Sequence, residues 1–347
     1  MSILLAAALL AKAPEREWTV VYYMSYDNNL ERCGPVILDG LEKGVKDPAI
    51  AVTVLHDDRR RDGLNRHVLT AAGRATEKLA TDDSASEETL REYLSWAART
   101  HPAKRLAVVF LDHGGKLDEM CADEWPKEGG TKHWLSAKLV GPILRDFAKS
   151  ANVELLFLQQ CGRGSIDNLY AFRGAAATVM ASQTTVGAPN TYYEKSMKWL
   201  AANPKATGAE LAKRIAGDDE HFTNYAWVDG KALAELPGRL APAVKALDKA
   251  ALPTGLKPCF PCDGEANYDL VAWLEAACGD ASKEFTSWIR EKLVVGHGKR
   301  GRAAADWCGL SIFVPKSRKQ FDRYADHPLY ADSALDDVWK AKLGDDK

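Results

Sequence analysis

Short apolar runs alternate along the first two-thirds of the chain with segments of helical periodicity. The apolar runs are rich in β-branched and aromatic residues, as is typical of strands that are buried on both faces. Five of them lie at 18–25, 49–57, 106–115, 153–161 and 177–183, and a weaker one lies at 66–71. This alternation predicts an α/β fold, with a mainly parallel central sheet flanked by helices.

Helical patterns occupy the segments between these runs. In SAKLVGPILRDFAKS (136–150), apolar residues recur at helical spacing despite Pro142. The tetrapeptide Ser84-Ala85-Ser86-Glu87 has the form of a capping box and predicts a helix that continues through Trp96. Further helical patterns lie at 192–202 and 208–222.

The chain after about residue 235 has a different, mostly helical pattern. It includes amphipathic segments at 271–277 and 285–294, and one late strand candidate, GLSIFVP (309–315). We expect that strand to return to the central sheet. The pattern divides the chain into an N-terminal segment 1–14, an α/β domain 15–235 and a mostly helical C-terminal subdomain 236–347.

The N-terminal segment carries a short apolar run, residues 3–11, followed by the small-x-small sequence Ala11-Lys12-Ala13. A run of this length is typical of an export signal, although no Lys or Arg precedes it and Pro14 would follow the cut. We expect a secreted or periplasmic protein, and a cytoplasmic protein with a disordered N-terminus is the alternative.

Composition excludes several classes of protein. The chain has 347 residues, of which 46% are hydrophobic and 27% charged, and its formal net charge is −2. The charge balance and the lack of a basic stripe argue against nucleic acid as a partner. No apolar stretch reaches the roughly 18–20 residues of a membrane span. We expect a soluble monomer.

The chain has seven cysteines. One of them, Cys161, is a candidate reactive residue for the reasons given below, and six remain without it. In an exported protein the other six predict one or two structural disulfides. Unpaired core cysteines are the first alternative. A zinc site that uses Cys259, Cys262 and His297 is the second, but the spacing fits no zinc pattern and we assign no metal ligand.

Two of the predicted strands end on chemically useful residues. The strand that begins at residue 106 ends in Asp112-His113-Gly114-Gly115, and the strand that begins at residue 153 ends in Gln159-Gln160-Cys161-Gly162. In open α/β sheets, ligands bind beyond the carboxyl ends of the strands. If the two strands are neighbours, an imidazole and a thiol share one edge of the sheet, and such a thiol can act as a nucleophile. The backbone N–H groups of Gly114 and Cys161 could then stabilise an oxyanion.

The spacing of the two residues strengthens this interpretation. Alone, a cysteine after a strand is usually a core thiol, and a single histidine is usually a hydrogen-bonded surface group. Here His113 precedes Cys161 by 48 residues and each is followed by a turn glycine. That resembles the caspase-type arrangement of a histidine about 50 residues before the cysteine.

Six segments of the sequence resemble the clostripain family of cysteine peptidases, in the family's order. They are WTVVYYMSYDNNLE (18–31), LAVVFLDHGG (106–115), the Cys-x-Asp-Glu segment 121–124, LLFLQQC (155–161), NYDLVAWLE (267–275) and GLSIFVP (309–315). The resemblance implies a caspase/haemoglobinase-like fold and endopeptidase activity on peptides or proteins. It makes Cys161 the nucleophile, His113 its partner, and Gly114 an oxyanion donor together with Cys161.

The resemblance also implies a pocket for Arg or Lys, but the sequence departs from the family there. The family has an acidic residue two positions before the cysteine, where this chain has Gln159, and residues 181–190 contain no acidic residue. A buried cation without a carboxylate partner is unfavourable. We therefore expect a neutral or polar preference, with Gln159, Gln183 and Thr184 as substrate-binding candidates.

Three further residue assignments depend on the same comparison. Arg163 could hold an acidic substrate side chain, but we expect it to be a solvated turn residue. Some family members need self-cleavage, for which Lys127 in the polar loop 116–133 is the candidate. Some need calcium, which the carboxylates Asp118, Glu119, Asp123 and Glu124 could bind, although the chemistry itself requires no cofactor.

Two other functions remain open at this point. A catalytically silent or regulatory binding protein could retain the peptidase scaffold with a remodelled pocket. A cysteine hydrolase that acts on esters or other amides is the other alternative. Fold alone does not distinguish them, because function depends on the site.

Overall fold

The computed structural model describes residues 15–58, 63–125, 131–301 and 306–344. The strands are β1 (Arg16–Ser25), β2 (Ile50–Asp57), β3 (Leu64–Thr70), β4 (Gly73–Lys78), β5 (Ala103–Leu111), β6 (Glu119–Asp123), β7 (His133–Ser136), β8 (Val153–Gln159), β9 (Thr178–Ala181), β10 (Asn224–Asp229), β11 (Phe260–Cys262), β12 (Glu265–Asp269), β13 (Val294–Lys299) and β14 (Ser311–Phe313). The helices are α1 (Cys33–Gly44), α2 (Glu87–Thr100), α3 (Ala137–Ala148), α4 (Ile166–Ala171), α5 (Tyr193–Ala202), α6 (Gly208–Asp218), α7 (Leu236–Leu247), α8 (Leu270–Cys278), α9 (Lys283–Trp288), α10 (Arg318–Asp322), α11 (Pro328–Ser333) and α12 (Leu335–Leu343).

The central sheet has nine strands in the order β13-β10-β9-β8-β5-β1-β2-β3-β4. Its five middle strands, from β9 to β2, are parallel, and the outer strands are antiparallel to their neighbours. The predicted α/β fold, with a mainly parallel sheet flanked by helices, is confirmed. Because the middle strands are parallel, their carboxyl ends form a single edge.

Alternate side chains of the middle strands enter two separate cores, as the pleat of a strand requires. Val21 and Tyr23 of β1 pack on one face, together with helices α2, α3 and α4 and most of the C-terminal helices. Val20 and Tyr22 pack on the other face, together with α1, α5 and α6. Both faces are therefore covered, which explains why these strands are apolar throughout.

The late strand does not return to the central sheet as predicted. Residues 311–313 form β14, which pairs with β12 in a separate three-stranded sheet of β11, β12 and β14. The C-terminal strand that joins the central sheet is instead β13, antiparallel to β10. β13 alternates two glycines with polar residues, a pattern that does not indicate a buried strand.

The C-terminal part of the chain packs against the α/β part through one continuous core. Leu240 of α7, Trp273 of α8 and Trp339 of α12 belong to the same buried cluster as Val21 of β1. The proposed boundary at 235/236 thus crosses a shared core, and the division into domains stays a prediction. In the part of the chain that the structure describes, no helix is long and apolar enough to cross a membrane.

The predicted disulfides are not present. All seven cysteines lie in the described ranges and are free thiols. Several have other partners: the thiols of Cys259, Cys278 and Cys308 donate to backbone carbonyl oxygens of Asn267, Ala243 and Leu310. The expected export signal, 1–14, lies outside the described residues, so export stays a prediction.

Candidate active site

The structure brings the histidine and cysteine turns together at the carboxyl edge of the central sheet. β5 and β8 are parallel neighbours, and Leu111 pairs with Gln159 at their ends. His113 and Cys161 each lie two residues beyond that matched pair. The Gln160 side-chain amide donates to the His113 carbonyl oxygen at 3.1 Å, which joins the two turns directly. The shared edge predicted from the sequence is therefore present.

The turn that carries Cys161 is fixed by backbone contacts. Gly162 has a φ of +68°, and a Cβ at this position would lie 2.1 Å from the ring of Phe260. Its N–H donates to the Thr184 carbonyl oxygen at 2.9 Å, while the Val186 N–H donates to Cys161 Sγ at 3.3 Å. The glycine is required both by its conformation and by the nearby ring. The sulfur is thereby placed beside the segment 185–188, in which Val186 is half-buried and the other three residues are exposed.

Gly114 lies directly against the cysteine turn. A Cβ on Gly114 would be 2.1 Å from the Cys161 carbonyl oxygen and 3.0 Å from Arg163 Nε. Any side chain at this position would push the two turns apart. Glycine at residue 114 thus permits the close approach of the two turns, and the predicted role of its N–H group as an oxyanion donor stays a prediction.

His113 is oriented by Asn29, a residue that the sequence analysis did not single out. Its Nε2 hydrogen bonds to Asn29 Oδ1 at 2.6 Å, so Nε2 carries the proton and Nδ1 is the nitrogen left to accept one. Burial lowers the pKa of His113 below its ordinary value, so neutral imidazole predominates at pH 7. Asn29 follows β1, the other neighbour of β5, and that adjacency was the signal that could have identified it.

Arg163 is buried rather than solvated, so its predicted role as a surface turn residue is wrong. The side chain is 0% exposed, and all five of its N–H groups donate to backbone carbonyl oxygens at 2.7–3.1 Å. Its guanidinium therefore ties the segment after His113 to the cysteine turn and is not available to a substrate. The five acceptors are the carbonyl oxygens of Gly115, Lys116, Leu117, Glu119 and Cys161.

Gln159 lies in a buried network of neutral groups at the end of β8. Its amide donates to Asn190 Oδ1 and, at 3.1 Å, to the Tyr193 hydroxyl, and its Oε1 accepts from the Tyr192 hydroxyl at 2.6 Å. The Asn190 amide in turn donates to Asp219 Oδ2 at 2.7 Å. The Asp219 carboxylate is thus linked to Gln159 through Asn190, and it is completely buried.

Asp219 has no capacity left for a substrate cation. Its oxygens also accept from the backbone N–H groups of Thr191 and His221, at 3.1 and 3.2 Å, and from the Tyr225 hydroxyl at 3.1 Å. A carboxylate with this many donors is stabilised in its present position. The groups nearest the end of β8 are consequently uncharged amides and hydroxyls.

The other two candidate binding residues are turned into the protein. Gln183 is completely buried, and its amide donates to Asp269 Oδ2 at 3.2 Å. The Thr184 hydroxyl donates to the Thr185 carbonyl oxygen, and the Thr184 carbonyl accepts from Gly162. Neither side chain is presented to a substrate. The part of this segment that contacts the Cys161 sulfur is the backbone of Val186, through its N–H and its carbonyl oxygen.

The four carboxylates predicted for calcium do not converge. Asp118 accepts from Ser136 and from the Lys138 N–H, whereas Glu119 accepts from the Lys116 N–H. The other two are separately engaged: Glu124 pairs with Lys132 at 2.6 Å, and Asp123 accepts from the N–H groups of Ser84 and Trp125. Lys127, the self-cleavage candidate, lies outside the described residues.

Solved structures of C11 proteases have the same fold as this chain. An inactive zymogen of a C11 protease from Parabacteroides distasonis is 17% identical, with a TM-score of 0.73, covering 92% of this chain and 99% of that one. A secreted C11 cysteine protease from Bacteroides thetaiotaomicron, in complex with an irreversible peptide inhibitor, is 16% identical, with a TM-score of 0.72 and the same coverage. At this identity the comparison establishes fold, and the caspase-like architecture predicted from the sequence is confirmed.

Sequence comparison supplies the family. No curated protein sequence matches this chain significantly. The model of the clostripain family, however, matches residues 22–236, more than half of the chain, including His113 and Cys161. The chain therefore belongs to the clostripain family of cysteine peptidases.

Proposed function

We propose that this cysteine endopeptidase uses Cys161 as the nucleophile and His113 as its proton carrier, with N–H groups of Gly114 and Cys161 as the oxyanion site. The observation that supports this most strongly is the pair of turns beyond Leu111 and Gln159, joined by the hydrogen bond from Gln160 to His113. A thiol and an imidazole on adjacent turns are the groups that covalent acyl transfer needs.

The steps follow from these groups. The thiol proton of Cys161 passes to His113 Nδ1, and the sulfur attacks the carbonyl carbon of the scissile peptide bond. The carbonyl oxygen gains negative charge, which backbone N–H groups stabilise. His113 then gives its proton to the departing amine, and the carbon–nitrogen bond breaks to leave an acyl-enzyme. Water, deprotonated by His113, attacks the acyl carbon and releases the carboxylic acid and the free thiol.

We propose further that the residue before the cut is neutral. Gln159 ends β8 with a buried amide group that donates to Asn190, and Asn190 in turn donates to Asp219, which also accepts from Thr191, His221 and Tyr225. A guanidinium or ammonium group there would lose its water without gaining a carboxylate partner. A neutral polar side chain can exchange hydrogen bonds with the amides instead.

A fluorogenic peptide library that varies the residue before the cut tests both proposals. We expect the wild-type protein to cleave neutral polar residues, with kcat/KM at least about 10-fold higher than for Arg or Lys, the discrimination that one unpaired buried charge supplies. Preference for Arg or Lys would contradict the neutral pocket. No cleavage, together with no labelling of Cys161 by iodoacetamide, would instead favour a regulatory protein on a peptidase scaffold.

Asn29→Ala is expected to lower kcat by about 10–100-fold with a smaller change in KM, because the imidazole loses the partner that sets its tautomer. Asn29→Asp keeps an acceptor oxygen and should retain most of the rate. Its negative charge should raise the pKa of His113, so the acid limb of the pH–rate profile should move to higher pH. Steady-state kinetics between pH 5 and 9 would measure both effects. A wild-type profile for Asn29→Ala would remove Asn29 from the site.

A further inference from the structure

Two buried polar residues lie next to the pair that orients the imidazole. Asn28 immediately precedes Asn29, and Asp112 immediately precedes His113. The Asn28 side-chain amide donates to Asp112 Oδ1 at 2.8 Å, beside the 2.6 Å hydrogen bond between His113 Nε2 and Asn29 Oδ1. The loop after β1 and the loop after β5 are therefore joined by two side-chain hydrogen bonds from consecutive residues.

Asn28 also fixes the backbone of its own loop. The side chain is 0% exposed, and its amide donates a second hydrogen bond, to the Ser25 carbonyl oxygen at 3.1 Å. Its Oδ1 accepts the Leu30 N–H at 2.9 Å. Ser25 ends β1, and Leu30 directly follows Asn29. A single side chain thus holds the backbone on both sides of Asn29.

Asp112 joins its loop to two other segments. The residue is 6% exposed, and each carboxylate oxygen has a donor from a different part of the chain. Oδ1 accepts from Asn28 in the loop after β1, and Oδ2 accepts the backbone N–H of Ala122 in β6. The carboxylate that directly precedes His113 is therefore held between that loop and the hairpin of β6 and β7.

The hairpin has an irregular backbone at the point where it reaches this carboxylate. Cys121 has a φ of +55°, in the left-handed region that is unfavourable for a residue with a side chain, and the pairing of β6 with β7 shifts register there. Bulges of this kind re-aim the chain and are frequent next to active sites. Here the Ala122 N–H donates to Asp112, and the Cys121 sulfur accepts from the Gln160 amide at 3.3 Å. The irregular residue is thus retained where both of its neighbouring contacts lead to the two catalytic turns.

We propose that Asp112 and Asn28 are positioning residues, whose hydrogen bond keeps Asn29 and His113 in register and so holds the imidazole in its catalytic orientation. This inference rests on the proposed role of His113 as the proton carrier. Buried hydrogen bonds add little net stability, since each group loses water to make them, but a satisfied buried network fixes one arrangement of the segments that it joins. The pair acts through Asn29 and the imidazole, without contacting the substrate.

The tautomer of His113 reports on this contact without any need for catalysis. Nitrogen-15 NMR near pH 8 on the Cys161→Ala protein should show the neutral ring protonated at Nε2, the nitrogen that is bonded to Asn29. The chain has eight histidines, so a further His113→Gln substitution in the same protein identifies the signal. Asp112→Asn replaces one acceptor oxygen by an NH₂ group that faces an N–H donor, and we expect it to give a mixture of the two neutral tautomers.

Kinetics with Cys161 intact measure the consequence for catalysis. Asp112→Asn should lower kcat by about 10-fold or more while KM changes by less than about 3-fold, because proton transfer loses its alignment and substrate contacts remain. Asn28→Ala should act in the same way, and it provides the test if Asp112→Asn does not fold. The double variant should be at most about 2-fold slower than the slower single variant, since both changes remove one contact.

Asp229→Asn is the matched control. Asp229 also accepts two N–H groups, those of Lys231 and Ala232, at 2.7 and 3.0 Å. It pairs with Thr178 at the start of β9, and so it lies at the opposite edge of the sheet from His113. This variant should lose stability, as Asp112→Asn does, but it should keep the parent's kcat and His113 tautomer.

Two results would overturn the proposal. One is an Asp112→Asn protein that folds with the parent's His113 tautomer and kcat, because the pair would then be structural only. The other is a double variant in which the effects on kcat multiply, because the two side chains would then act separately. A changed tautomer with an unchanged kcat would instead support the positioning contact and refute the proton-carrier role of His113. If the wild-type protein cleaves no peptide, the tautomer alone decides.

Discussion

Cys161→Ala should lower kcat for peptide hydrolysis by at least about 10⁴-fold, because the proposed acyl-enzyme forms on the Cys161 sulfur. The Cys161 sulfur is held by the Val186 N–H, and its turn is matched to that of His113. Removal of the sulfur deletes the bond-forming atom, yet the contacts of Gly162 and Arg163 that hold the turn remain. The variant should therefore fold like the parent protein.

Three measurements define this result. Kinetics should be compared with those of Cys278→Ala, a half-buried thiol on α8 that donates to a carbonyl oxygen of α7 and should keep full activity. Iodoacetamide should modify Cys161 in the wild-type protein, and that adduct should be missing from Cys161→Ala. Residual activity of more than about 1% in Cys161→Ala would show that another residue is the nucleophile.

Arg163→Met is expected to destabilise the folded protein by roughly 3–5 kcal/mol and to impair catalysis in the molecules that remain folded. Methionine fills much of the volume but leaves five backbone carbonyl oxygens without their donors. Those oxygens belong to the segment after His113 and to the cysteine turn. Loss of the guanidinium therefore loosens both turns together.

Denaturant unfolding and kinetics below the melting transition would measure the two effects separately. Arg163→Lys should restore only part of the stability, since an ammonium group is a point donor and cannot reach five acceptors in a plane. Arg145→Met is the matched control, because Arg145 is half-buried and donates to a single carbonyl oxygen, that of Ala171. If Arg163→Met costs no more than Arg145→Met, the guanidinium does not hold the two turns.

The features of the fold and site that depend on local residue pattern could be predicted from the sequence. Apolar strands and the residues at their ends follow from side-chain type and from the geometry of parallel sheets, so the edge with His113 and Cys161 could be identified. Asn29 required knowledge of strand order, because it reaches His113 only through the pairing of β1 with β5.

The errors have a common physical origin. A glycine-flanked arginine looks solvated, but the Arg163 side chain folds back onto carbonyl oxygens that only the tertiary structure supplies. GLSIFVP looks like a central strand, yet β14 pairs with β12 in the smaller sheet. β13 carries two glycines and little apolar content, so the sequence pattern does not predict a strand there. It is a strand because it pairs with β10.

The contact between Gly162 and the Phe260 ring bears on how the enzyme can be divided. Phe260 belongs to β11, outside the segment 22–236 that matches the family model. The Ser311 N–H also donates to the Gly164 carbonyl oxygen at 2.9 Å, so the far end of the chain supports the same turn. The region that defines the family is thus not a self-sufficient catalytic fragment. A protein shortened after residue 235 would retain both proposed catalytic side chains, His113 and Cys161, but would lose the ring that packs against the cysteine turn.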